Sequence, residues 1–318
     1  MPSVQKYSYS GPIDHTIPVD KAKLAGKGVI VTGGANGIGE SIVRHFVAAG
    51  SLVTFCDVNA ERGCEVEADI NAKGGPGKAQ FVTCDIRSWK SQVALFEKAT
   101  AGRRRLDIVI ANAGISRSSI DSLWKLDDPN GPPCKPDLNI VETNINGTLY
   151  SFKLATHYFR KQPNDEDHDR CFIMTGSMVA YINSPGNWEY TVSKTGLLGL
   201  MRTVRRNSWQ QGMRINFVAP CYIRSAIRTA EYEKNLVDQG VRFGEVEDVA
   251  SCMMRIASDR SINGRSIMVV PRAVAQQGYM DVDLDDFDQD GYFKDIQEVQ
   301  LRIIKDQWLD GEALRKYK

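Results

Sequence analysis

Short apolar runs and amphipathic stretches alternate along this 318-residue chain. Seven runs rich in β-branched and apolar residues lie at about 28–32, 51–56, 80–84, 106–111, 171–175, 213–218 and 265–270. Their length and unbroken hydrophobicity suit strands buried on both faces. Helical spacing fills the intervals. Over 40–49, for example, Ile42, Val43, Phe46 and Val47 share one side and Gly50 supplies the stop. The alternation predicts an α/β fold with a seven-stranded parallel sheet and helices on both faces. Three stretches break the pattern. Ser116 to Pro136 carries four prolines and reads as a long loop, Gln162 to Arg170 as a charged connector, and Tyr222 to Phe243 as a helical lid.

The candidate chemistry falls at or just past strand ends, where doubly wound sheets bind their ligands. Val29-Ile30-Val31-Thr32 is followed by Gly33-Gly34-Ala35-Asn36-Gly37-Ile38-Gly39 and then by a helix. Strand, glycine turn and helix is the context of a Rossmann-type dinucleotide site, with a glycine-rich surface turn as the alternative. Glycine lets the backbone approach a pyrophosphate, and the helix N-terminus offers free N–H groups. Asp57 ends the second run, 18 residues past Gly39, where a carboxylate would accept hydrogen bonds from ribose hydroxyls. The same carboxylate repels a 2′-phosphate. No Arg or Lys occupies the glycine loop or directly follows Asp57, where Val58 and Asn59 stand. This pattern points to NAD over NADP.

Tyr190 and Lys194 lie four apart on a helical segment and therefore share a face. A neighbouring ammonium favours phenolate, so the pair can form a general base for an alcohol or a general acid for a ketone. In isolation the spacing also fits a surface tyrosine beside a solvated lysine.

Together these residues resemble the short-chain dehydrogenase/reductase family in its single-domain form, from about Lys27 to about Val270. The resemblance implies that Thr32, Gly33, Asn36, Gly37, Ile38 and Gly39 form the cofactor loop. It implies that Asp85, beside Ile86, contacts the adenine amino group. Asn112-Ala113-Gly114 is similar to the family's NAG motif. Asn144 matches the helix asparagine that anchors a proton-relay water, and Ser177, 13 residues before Tyr190, matches the catalytic serine. Pro220, Ile223 and Ser225 fall in the segment that holds the nicotinamide carboxamide. Two departures occur there, Cys221 for glycine and Ser225 for threonine. Serine keeps the hydroxyl, whereas Cys221 restricts the loop. Tyr190 and Lys194 would serve both chemistry and cofactor. Met178, Trp188 and Tyr222 flank them as candidate substrate-pocket residues. The resemblance further implies a homodimer or homotetramer through helices at about 138–160 and 190–211.

The organisation expected is an N-terminal extension (1–26), a dehydrogenase domain (27–272) and an acidic, helical C-terminal extension (273–318). Net charge is +1, which gives no electrostatic case for nucleic acid. The basic cluster Arg202, Arg205 and Arg206 reads as a solvated or subunit-contact face. No apolar run is long enough to span a membrane, and residues 1–18 lack a signal-peptide core. Seven cysteines without metal spacing suit a reducing cytosol, so a cytoplasmic enzyme is expected. Four scattered histidines suggest no metal site. Asp286, Asp288, Asp290 and Gly291 mimic an EF-hand start, but Gln297 stands where the bidentate Glu belongs. The reading is an NAD-dependent enzyme whose small-molecule substrate is a secondary alcohol. A ketone reductase, a non-redox cofactor sensor, and a protein whose tail recruits a partner remain as alternatives.

Overall fold

The computed structural model describes residues 4, 6–75, 77–116, 121–163, 169–224, 230–287 and 290–304. Eight strands form one sheet: β1 (Gly28–Thr32), β2 (Leu52–Asp57), β3 (Ala79–Thr83), β4 (Ile108–Ala111), β5 (Arg170–Thr175), β6 (Met213–Pro220), β7 (Ser266–Val269) and β8 (Tyr279–Asp281). Their order is β3-β2-β1-β4-β5-β6-β7-β8. All neighbours are parallel except β7 and β8, which pair antiparallel with Met268 opposite Met280. The α/β architecture is as read from the sequence, but the strand count is corrected from seven to eight. β8 is three residues long and alternates buried Tyr279, exposed Met280 and buried Asp281. So short an alternation carries no strand signal on its own; the turn at Gly278 (φ 78°) folds it back onto β7.

The helices are α1 (Gly37–Ala48), α2 (Ala60–Gly74), α3 (Trp89–Ala99), α4 (Asn139–Val141), α5 (Gly147–Arg160), α6 (Trp188–Val204), α7 (Ala230–Asp238), α8 (Val246–Ser258) and α9 (Tyr292–Ile304). A π turn, Glu142–Asn146, joins α4 to α5. Successive strand residues point to opposite faces. Val29, Val31, Ile108, Ile110, Cys171 and Ile173 enter one core with α1 and α8. Ile30, Val109, Phe172 and Met174 enter the other with α3, α5 and α6. This explains why the strands read as unbroken apolar runs. Local signals set the helix starts: Ser88 and Asn59 cap α3 and α2 through their side chains, and Glu245 with Asp248 forms a capping box on α8.

The chain outside the sheet also packs on it. Tyr7 is buried and donates to Asp286 Oδ2 at 2.5 Å, and Ile13 N donates to Asp281 Oδ2 at 2.9 Å. The Arg202–Arg206 cluster is ion-paired within the chain, although Arg202 itself is 41% exposed. Arg205 is 2% exposed and pairs with Asp286, Arg202 pairs with Asp285, and Arg206 pairs with Asp286. The acidic segment of the C-terminal region thus neutralises the basic helix end within one chain. Asp286, first in the EF-hand-like spacing, is spent on this, while Asp288 lies outside the described residues. Among the described residues no helix is long and apolar enough to cross a membrane.

Candidate active site

The carboxyl ends of β1, β2, β4, β5 and β6 converge on the glycine loop and the start of α6. Thr32 ends β1 and is 1% exposed. Its Oγ1 accepts from the backbone N–H groups of Asn112 and Ala113, at 3.1 and 3.0 Å. Asn112 Nδ2 donates in turn to the carbonyls of Thr32 and Gly33 at 3.1 and 3.2 Å. Thr175 Oγ1 at the end of β5 donates to Asn112 Oδ1 at 3.0 Å. Three strand ends are therefore stitched together around the loop.

Whether this loop can hold a dinucleotide is tested by its glycines. A Cβ on Gly39 would sit 1.8 Å from the Gly33 carbonyl oxygen, and one on Gly33 would sit 2.8 Å from Ala113 Cα. Gly33 also holds φ at 67°. Only glycine fits either place. Asn36 is the N-cap of α1 but makes no side-chain capping bond, so the helix start keeps N–H groups available to an anion. Ile38 follows within the first turn of α1. The loop fits the pyrophosphate of a dinucleotide.

Asp57 sits against this loop. Its carboxylate accepts from Ala35 N at 3.2 Å and from Asn59 N at 3.1 Å. Val58 beside it is exposed. Asp85 lies past the end of β3, gripped by Arg87 through Nε and Nη2 at 2.6–3.1 Å. That side-chain hydrogen bonding holds the Asp85 carboxyl below the usual carboxylate range. Ile86 is buried against Gly147, where a Cβ would meet it at 2.6 Å.

Lys194 is 4% exposed. Its Nζ donates to the Thr175 carbonyl at 2.8 Å and lies 5.5 Å from the centroid of the Tyr190 ring. Burial lowers its pKa from 10.5 to about 8. Asn144 is fully buried in the π turn. Its Oδ1 accepts from Ile115 N at 2.8 Å, and its Nδ2 donates to Ile115 O at 2.9 Å and Ser193 Oγ at 3.0 Å. Ser193 Oγ then donates to Tyr190 O at 2.7 Å. A Cβ on Gly114 would lie 3.1 Å from Asn144 Oδ1 and 3.4 Å from Lys194 Nζ. Asn144, Gly114, Lys194 and Tyr190 are thus one cluster. Ser177 is 7% exposed and caps the turn Met178–Ala180 directly after β5, its Oγ accepting from Val179 N at 3.4 Å.

Pro220 ends β6, and Cys221 N donates to Val269 O at 3.0 Å. The Cys221 thiol is pushed up to about 11 by burial and stays protonated. Ile223 is buried and bridges to Gly244, whereas Ser225 lies outside the described residues. The candidate pocket residues have separate partners. Trp188 meets Trp124 edge-on at 5.2 Å, Tyr222 meets Phe243 at 6.1 Å, and Met178 belongs to the Ser177 turn.

Sequence reasoning passed over Thr175 and Ser193, which hold Lys194 and Asn144. Both carried a readable signal: Thr175 is the last residue of a strand run, and Ser193 lies one turn from Tyr190. Reasoning also missed a clamp between the proline-rich loop and the start of α6. Asp121 Oδ2 accepts from Glu189 N at 2.9 Å, and fully buried Glu189 accepts from Ser122 N at 3.1 Å and from Ser122 Oγ. Nothing local relates positions 121 and 189.

The family model described as short chain dehydrogenase matches residues 27–236. The chain is 31% identical over 304 residues to a 5′-hydroxyaverantin dehydrogenase of Dothistroma septosporum, covering 90% of this chain and 94% of that one. It is 31% identical to NADP-dependent dehydrogenase M3 of a Phoma species, covering 88% and 84%. A solved short chain dehydrogenase from Burkholderia cenocepacia, in complex with NADP, superposes with a TM-score of 0.64 at 25% identity, covering 77% of this chain and 97% of that one. The chain belongs to the short-chain dehydrogenase/reductase family. It is an oxidoreductase of a family that binds a nicotinamide cofactor.

Proposed function

We propose that the protein is an NAD-dependent dehydrogenase of secondary alcohols. The observation that carries this reading is the buried Lys194 ammonium, fixed by the Thr175 carbonyl 5.5 Å from the Tyr190 ring. A cation held there favours phenolate. When bound, the nicotinamide supplies the hydride acceptor. Tyr190 then takes the hydroxyl proton as general base, and Ser177 orients the alcohol and steadies the oxygen as it loses the proton. Lys194 maintains the phenolate and offers its ammonium to the nicotinamide ribose. Both Nδ2 protons of Asn144 donate to protein groups, so a water linking Lys194 to solvent must donate to an Asn144 oxygen. Thr32, Gly33, Asn36, Gly37, Ile38, Gly39, Asn112, Ala113 and Gly114 cradle the cofactor. Asp85 and Ile86 would hold the adenine, and Pro220 and Ile223, together with Ser225 outside the described residues, would hold the carboxamide.

Choice of NAD rests on Asp57, whose carboxylate against Ala35 N opposes a 2′-phosphate. Two of the relatives are named NADP-dependent, which makes the choice of cofactor a direct point of test. Exposed apolar residues on α5 (Leu149) and α6 (Val192) support pairing of subunits through these helices. Seven free cysteines fit a reducing, cytoplasmic setting.

The test is formation of reduced nicotinamide with NAD⁺ or NADP⁺ over a panel of secondary alcohols. Because a relative is named for it, 5′-hydroxyaverantin belongs in the panel. Turnover with NAD⁺ is the expected outcome. Preference for NADP⁺ would overturn the cofactor assignment, and tight NAD⁺ binding without turnover would favour the sensing alternative.

A further inference from the structure

The chain continues past β8 into a strap over residues 282–287, anchored where Val282 N donates to Ser266 O at 2.9 Å. Asp283 in this strap holds φ at 54°, the one positive φ on a non-glycine residue among those described. Its neighbour Leu284 points outward at 66% exposure, while the Asp285 side chain turns inward and is only 5% exposed. Asp285 Oδ1 accepts two hydrogen bonds from different parts of the site. One comes from Tyr181 Oη at 3.1 Å and the other from Arg202 Nε at 2.9 Å. Arg202 Nη2 also donates to Leu284 O at 2.9 Å, which fastens the strap itself.

The two donors belong to the two elements that carry the candidate chemistry. Tyr181 closes the turn that Ser177 caps, its backbone N donating to Met178 O at 2.9 Å. Arg202 lies on α6, eight residues beyond Lys194. Burial, and then the Asp285 charge, raise the Tyr181 pKa, so its hydroxyl remains a donor. The turn and the helix approach from different strands, and Asp285 is a single carboxylate between them.

We propose that Asp285 is a positioning residue, tying the turn that bears Ser177 to the helix that bears Tyr190 and Lys194. The proposal rests on the catalytic reading of those residues, and its test separates the two. The first readout needs no substrate. Backbone hydrogen exchange over 178–182 is followed in the NADH complex of the wild type, Tyr181→Phe, Asp285→Ala and Asp285→Asn. Leu284→Ala, on the outer side of the strap, is the control. Loss of Asp285 or of the Tyr181 hydroxyl should speed exchange in that turn while β1 and β4 stay protected. Asp285→Asn keeps an acceptor for Tyr181 and should preserve most of the protection.

The second readout is kinetic. If Ser177 drifts by a fraction of an ångström, kcat should fall by about tenfold or more in Tyr181→Phe and Asp285→Ala, with NADH affinity held within about twofold. The double variant should lose little beyond either single one, since both break the same link. A merely structural role would lower unfolding stability and leave kcat unmoved. Unchanged exchange over 178–182 in both single variants, or kcat within about twofold of wild type, would overturn the proposal. Failure of the wild type to oxidise any alcohol would instead overturn the dehydrogenase reading, and the exchange data would still decide whether the clamp exists.

Discussion

Replacing Lys194 with methionine should remove a pH dependence that the buried ammonium imposes on stability. The lysine is 4% exposed, and burial lowers its pKa from 10.5 to about 8. The difference, 10.5 − 8, at 1.36 kcal/mol per pH unit, means that the folded state carries the charge at a cost of about 3 kcal/mol. Below pH 8 the lysine is charged in both folded and unfolded chains, so the whole cost is present. Between about pH 8 and pH 10.5 the folded lysine releases its proton first, and stability rises with pH. Methionine has a similar reach and no charge. It leaves the Thr175 carbonyl without its donor, a cost of about 1–3 kcal/mol at every pH. The net gain at neutral pH is therefore between about 0 and 2 kcal/mol, but the slope is free of that constant. Urea denaturation of Tyr190→Phe and of Tyr190→Phe/Lys194→Met, from about pH 7 to about pH 10.5, isolates the lysine from the adjacent phenol. The advantage of the methionine variant should shrink by about 3 kcal/mol across that range. A difference that stays flat would refute the claim that this lysine is held charged against its burial.

Gly39→Ala should weaken NADH binding by about 100-fold or more, read by fluorescence titration, because its Cβ would stand 1.8 Å from the Gly33 carbonyl and force the loop away from the pyrophosphate. Asp57→Asn should raise NADP⁺ affinity relative to NAD⁺ by about tenfold, the size of one partly screened charge interaction, when the two Kd values are compared. Asp169→Ala should cost about 3–5 kcal/mol in urea denaturation, since it strands Arg214, whose Nε and Nη2 donate to Asp169 at 2.8 and 2.7 Å. That pair sits at the amino end of the sheet, so NADH affinity of the folded variant should be unchanged.

The parallel sheet was legible because β1, β2 and β4 to β7 are largely buried on both faces, and double burial demands the unbroken apolar runs that sequence reading detects, while β3 at the edge is half-buried. β8 escaped because three residues cannot show a period and because its pairing is made by a distant partner, β7. Local motifs were equally legible. Gly33, Gly39, Tyr190 and Lys194 obey spacing rules set by one turn or one helix. What spacing could not reveal was pairing across the fold. The Arg202–Arg206 cluster looked like a solvated face because its carboxylates, Asp285 and Asp286, lie some 80 positions away. The same holds for the Asp121 and Glu189 clamp, where two acidic side chains bind each other's backbone N–H groups or those of the adjoining residue. Asn144 was expected on a helix and stands in a π turn, whose wider backbone directs its side chain to both Ile115 and Ser193.

In the proposed NAD-linked oxidation Tyr190, tuned by Lys194, moves the proton. The most direct measurement compares wild type with Tyr190→Phe for reduced-nicotinamide formation from NAD⁺ and the best alcohol of the panel, with NAD⁺ affinity measured alongside. The expected result is a fall in kcat of about 10²–10⁴-fold with NAD⁺ binding retained. Near-full turnover by Tyr190→Phe would contradict it.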